Sequence, residues 1–177
     1  VLAIAAHRFR LLEGPVTVFS AAVYTIPSLA LFQLLVPVTG LTVTTVEVAL
    51  VGYTLLILFR NTLEGLRSAP PDVLEAARGM GYTRGQTLWR VELPLAVPAI
   101  FAGLRVAIVS TIALATVAAL VIPEGLGYPI FLALRAAFKT EIIVAGGLAV
   151  AMALVADGLL VLLQRALTPW SRARRTA

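Results

Sequence analysis

No charged side chain occurs between Pro15 and Val38. A run of that kind is long enough to cross the ~30 Å hydrocarbon core of a bilayer, which takes about 20 apolar residues as a helix. Three more apolar runs follow, at about 41–59, 95–122 and 142–163. Lipid offers the backbone no hydrogen bonds, so a spanning segment must satisfy its own amides and carbonyls, which at this length means a helix. The expected fold is therefore all-α, a polytopic membrane helical bundle, with residues 1–177 forming one transmembrane domain.

Composition agrees and removes several classes of function. Of the 177 residues, 60% are hydrophobic and 13% charged, against about 45–50% and about 25% in soluble domains. The absence of cysteine excludes disulfides, thiolate metal sites and cysteine nucleophiles. His7, the single histidine, cannot build a histidine metal cluster or serve a catalytic triad from a terminal flank. No Gly-x-x-x-x-Gly-Lys-Ser/Thr phosphate loop is present, so the chain cannot be its own ATPase. The net charge of +5 does not point to nucleic acid, because the arginines sit at the ends of apolar runs and not on one polar surface.

Those arginines orient the chain. Residues 1–14, 60–94 and 165–177 hold eleven Arg, whereas 39–40 and the outer loop 123–141 hold only Arg135 and Lys139. By the positive-inside rule both ends and the 60–94 loop face the cytoplasm of a multi-pass inner-membrane protein. The opening, Val1 to Ala6 followed by His7 and Arg8, reads as the tail of an apolar helix meeting cytoplasm. A span, or part of one, is expected ahead of it.

The loop at 60–94 breaks the pattern. Asp72 can cap a short helix with Glu75 three residues on, and Thr83 can cap a second with Gln86 three residues on. Gly79 and Gly81 offer left-handed helix ends, and Pro94 marks the boundary with the next span. The expected result is a helix–turn–helix elbow whose Val73, Leu74, Ala76, Ala77 and Met80 form an apolar docking face.

Glu75-Ala76-Ala77, then Gly81, then Val91-x-Leu93-Pro94 resembles the EAA loop of binding-protein-dependent ABC importer permeases. That pattern runs EAA, three residues, Gly, nine residues, Ile-x-Leu-Pro, and Val91 for Ile is the one departure. The resemblance implies a type I importer permease fold, with Asp72, Glu75, Ala76, Ala77, Gly79, Gly81, Leu93 and Pro94 coupling it to a separate ATPase subunit. ATP and Mg would be held in that subunit, and this chain would carry no cofactor. A second permease subunit, the same or homologous, and an extracytoplasmic substrate-binding protein are the other implied partners. The lipid bilayer surrounds them.

Thr25-Ile26-Pro27-Ser28-Leu29-Ala30-Leu31, Leu58-Phe59-Arg60-Asn61-Thr62 and Arg90-Val91-Glu92-Leu93-Pro94-Leu95 are similar to the osmoprotectant branch, which imports glycine betaine, carnitine, choline or proline. Gly125-Leu126-Gly127 fits that branch, whereas Pro123-Glu124 departs from its small residues. No aromatic cage for a quaternary ammonium group is visible among the scattered Tyr24, Tyr53, Tyr82, Tyr128, Trp89 and Trp170. An importer of another small solute, such as an amino acid, stays open. A secondary transporter would be expected to show internal repeats, and none is seen.

Arg105 and Asp157 lie deep within spans, where ionisable residues are costly and face the bundle interior. Counted from the cytoplasmic ends they sit at ~15 Å and ~12 Å, at ~1.5 Å per residue. An intramembrane ion pair between the third and fourth spans is one reading. Separate snorkelling is the other. Glu47, near the outer end of its span, reads as solvated, and the small residues Gly146, Gly147, Ala149, Ala151 and Ala153 permit close packing.

Overall fold

The computed structural model describes residues 1–169; Trp170 and three arginines of the 165–177 flank, Arg172, Arg174 and Arg175, lie outside the described residues. The described residues form helices and no strand. In chain order these are α1 (Leu2–Arg8), α2 (Glu13–Thr25), α3 (Ser28–Thr39), α4 (Val43–Arg67), α5 (Pro71–Gly79), α6 (Arg84–Thr87), α7 (Leu93–Ala118), α8 (Gly127–Arg135) and α9 (Lys139–Leu167). A 3₁₀ turn at Arg10–Leu12 and a π turn at Leu88–Glu92 complete them.

Among the described residues three rods are long and apolar enough to cross a membrane: Val43–Arg67, Arg84–Ala118 and Lys139–Leu167. The apolar run at 15–38 differs from expectation. It is no single helix, because α2 and α3 meet at 103°. The cause is Pro27, which has no N–H to donate and pushes Ile26 into extended backbone (ψ 129°). The break frees the Ile26 carbonyl within an apolar setting, and the buried Tyr53 of α4 donates its hydroxyl hydrogen to it. Tyr53 thus serves the bend, with its ring edge-on to Tyr24 at 6.0 Å.

Helix α4 is the centre. Its Ala49 and Tyr53 pack with Leu31, Phe32 and Ala118, and its Phe59 and Leu63 pack with Ala3 and Ala6 of α1. Along its other side α4 meets α7 at very short range. A Cβ on Gly65 would fall 2.8 Å from the Ala99 Cβ, and one on Gly103 would fall 2.6 Å from the Asn61 Cβ. The close approach is therefore set by residues without side chains on alternate helices. Farther out, α8 is seated on α7 through Gly127, where a Cβ would overlap the Thr116 carbonyl.

The small residues of α9 divide. Ala145 and Ala149 are buried, whereas Gly147 and Ala151 are exposed. Glu47 is exposed in the second turn of α4.

The contrast among glycines makes a stability prediction. Gly127→Ala should destabilise the subunit by about 1–3 kcal/mol through overpacking, lowering its thermal unfolding midpoint in detergent. Gly146→Ala, inside α9 where nothing lies within 4 Å, should not lower the midpoint, since alanine favours a helix interior over glycine.

Candidate functional site

The elbow forms, with four departures from the reading of its sequence. Asp72 does not cap α5: Pro70 occupies the N-cap and Pro71 the first helical position, so Asp72 falls inside the first turn without a side-chain capping bond. Proline needs no N–H partner there and its fixed φ starts the helix, while a carboxylate in the first turn still complements the helix dipole. Of the two glycines, only Gly81 is left-handed, at φ +79°. Gly79 ends α5 and Met80 follows at φ −77°. Ala77 is turned inward with 1% of its surface exposed and cannot meet a partner. The exposed stripe is Val73, Ala76 and Met80, at the three- and four-residue spacing of one helix face, with Glu75 exposed beside it.

The fourth departure is at Pro94. The helix does not stop there, and Arg84–Ala118 is one 35-residue rod. Proline at 94 cannot donate to the Arg90 carbonyl, and the ladder widens just before it: the Leu93 N–H reaches back five residues to Leu88 O. A π turn of this kind lets a helix pass a local defect without ending. Leu93 and Pro94 thus become the first two residues of α7, in line with the second arm of the elbow.

That second arm starts as its sequence implies. The Gln86 N–H donates to Thr83 Oγ1 at 3.3 Å and the Thr83 N–H to Gln86 Oε1 at 2.8 Å, a full capping box. Between the arms, the Gly81 N–H donates to Arg78 O and the Tyr82 N–H to Ala77 O. The turn is therefore closed by backbone bonds, with the left-handed residue at its centre.

Among the described residues, two ion pairs and a histidine–carboxylate contact attach outlying helices to this framework. Arg105 Nε donates to Asp157 Oδ1 at 2.6 Å and Nη2 to Oδ2 at 2.7 Å. This bidentate fork joins α7 to α9. Arg67 grips Glu13 in the same way at 2.8 and 2.5 Å, joining α4 to α2. His7 Nε2 lies 2.9 Å from Glu92 Oε2, joining α1 to the π turn. Arg105 and Asp157 were marked in the sequence by their depth. The other two pairs were not, since 54 and 85 residues separate their partners. The one available signal was a lone histidine in the last turn of an apolar helix.

Comparison with known proteins places this arrangement. The family model described as "Binding-protein-dependent transport system inner membrane component" matches residues 2–173.

The chain belongs to that family.

A glycine betaine/carnitine/choline transport system permease protein, OpuCD of Bacillus subtilis (strain 168), is 41% identical over 95% of this chain and 74% of that protein. An osmoprotectant import permease protein, OsmW of Salmonella typhimurium, is 38% identical over 92% of this chain and 78% of that protein. The ergothioneine transport permease/ergothioneine binding protein EgtU of Helicobacter pylori (strain G27) is 41% identical over 73% of this chain but only 23% of that protein. The chain is thus a multi-pass membrane permease component, and its relatives are transport subunits.

The fork between α7 and α9 yields a test. Arg105→Asp or Asp157→Arg alone should sharply reduce the monodisperse subunit recovered from membranes, because each places two like charges side by side within the bundle. The double exchange should restore much of it. Recovery no better in the double than in the singles would show that the pair does not hold the two helices.

Proposed function

We propose that this chain is the permease subunit of an importer that brings glycine betaine, carnitine, choline or a similar osmoprotectant into the cytoplasm. A separate ATPase subunit drives it, and a substrate-binding protein on the outer side feeds it. The observation that carries the reading is the elbow: EAA spacing, Gly81 left-handed at its turn, and an exposed apolar stripe on a short helix. The branch is supported by the relatives named for these solutes, which align along almost the whole chain.

The mechanism follows from how the elbow is connected. In this reading the Val73, Ala76 and Met80 face of α5, with Glu75 beside it, seats in a cleft of the ATPase subunit, which holds ATP and Mg. Asp72, Gly79 and Gly81 shape that helix and its turn, and Ala77 holds it to its own subunit. Closure of the ATPases displaces α5. The closed turn at Gly81 and the capping box at Thr83 pass the displacement to the second arm. Leu93 and Pro94 carry it on into α7, because the arm and α7 are one rod of about 50 Å, at about 1.5 Å per residue. Two permease subunits, identical or homologous, enclose the pathway, which alternates between outward- and inward-open states. Both ends of the chain and the elbow lie on the cytoplasmic side, as the arginine distribution implies.

A second reading keeps the importer and changes the solute. It is favoured by the 41% identity to a permease named for ergothioneine. Uptake of labelled glycine betaine, choline and ergothioneine, by cells lacking their own systems and expressing this subunit with its ATPase and binding protein, separates the two. Betaine or choline uptake that needs all three components is the expected result. Ergothioneine uptake alone would move the substrate and leave the importer.

Gly81→Asp should cut that uptake at least about tenfold while ATP hydrolysis continues in the purified complex. A side chain at φ +79° is strained, and the strain falls on the joint between the arms. Glu75→Lys should uncouple in the same sense by altering the docking face. Normal uptake by both variants would overturn the coupling role of the elbow.

A further inference from the structure

A cleft of about 740 Å³ opens between α1 and the elbow, walled by His7, Arg8 and Phe9 on one side and Arg78, Tyr82, Arg84 and Glu92 among those on the other. Its size is within the range of small-ligand sites, about 300–1,000 Å³. Its charge is lopsided. Arg8, Arg78 and Arg84 line it from three separate elements, and none of the three is in an ion pair among the described residues. The one carboxylate there, Glu92, is engaged by His7 at 2.9 Å. Three exposed arginines lining one space make it attractive to an anion, with Arg8 also lying over the Phe9 ring at 5.9 Å. Guanidinium forks match the oxygens of a phosphate.

We propose that this cleft binds the phosphate headgroup of an anionic phospholipid. Depth and surroundings select the lipid over a soluble phosphate. Glu92 immediately precedes Leu93, where the apolar length of α7 begins, so the cleft lies at the level where span gives way to charged flank. Beside it Phe9, Leu11 and Leu12 are exposed, at 58%, 91% and 43%, with Arg8 and Arg10 interleaved. Apolar side chains exposed between arginines at this level are suited to acyl chains below and phosphate above. Basic pockets at the cytoplasmic ends of membrane helices take acidic headgroups in this way. The lipid would bridge α1 to the arms of the elbow alongside the His7–Glu92 contact. Which leaflet supplies it rests on the orientation proposed above, whereas retention of lipid depends on neither sidedness nor transport.

The test uses the subunit purified with its ATPase from nanodiscs of phosphatidylcholine containing a minority of phosphatidylglycerol, with co-purifying lipid measured by mass spectrometry. The wild-type complex should retain phosphatidylglycerol selectively. Arg8→Ala/Arg84→Ala should lower that retention on the order of tenfold, and Arg8→Lys/Arg84→Lys should retain an intermediate amount. If the double alanine variant does not assemble, Arg8→Ala alone, which leaves the elbow intact, is read in the same way with a smaller loss. Equal retention in wild type and alanine variants would overturn the site. So would full displacement of the lipid by inorganic phosphate, which would assign the cleft to a soluble anion. Loss of the ATPase with unchanged lipid retention would overturn it too, because the arginines would then belong to the subunit interface.

Discussion

The contact between α4 and α7 is the constraint on which the other features depend. Gly65 against Ala96 and Ala99, and Gly103 against Asn61, bring two long helices together with no room for another carbon at either point. Elements packed this tightly transmit displacement instead of absorbing it. The elbow hangs from this pair: α5 follows the end of α4 after three residues, and the second arm is the start of the α7 rod. Both attachments of the elbow therefore lead into one packed unit, and α5 cannot be pushed without loading it.

Three outlying helices are tied to that unit by polar side-chain contacts at different places, two of them ion pairs. Glu13 ties α2 to the end of α4, His7 ties α1 to the π turn, and Asp157 ties α9 to α7. Apolar packing alone is a weak guide to register between membrane helices, since a neighbouring helix and lipid are nearly equivalent apolar surroundings. A bidentate fork has a fixed geometry and selects one register. The pairs thus supply a specificity that the apolar faces lack.

What could be read in the sequence follows the same division. Helical spans were legible because bilayer thickness sets their length and lipid forbids irregular backbone. The elbow's second arm was legible because its capping box is local, complete within Thr83–Gln86. Features that depend on two distant segments were not. The 15–38 run has the composition of a single span, and its break depends on whether neighbours satisfy the carbonyls that Pro27 frees. Tyr53 does so from 27 residues away. Asp72 looked like a cap because aspartate is a good one, but Pro70 and Pro71 start the helix two residues earlier. Ala76 and Ala77 were equivalent in the sequence, and only the placement of α5 against its own chain turns one outward and buries the other. Arg105 and Asp157 were legible as a candidate pair because a charge at that depth needs a partner and each span offers one.

Pro94 shows how a local rule can mislead in a way that bears on mechanism. A proline after a polar segment argues for a helix boundary, and a boundary would have made a hinge between elbow and span. The π turn removes the hinge by widening the ladder for one turn. That stretch is Leu88–Glu92. It is also where His7 makes its contact, from a helix whose Ala3 and Ala6 are buried against Phe59 and Leu63 of α4. The π turn is thus contacted from outside by α1, which is itself packed against α4 of the same tight pair.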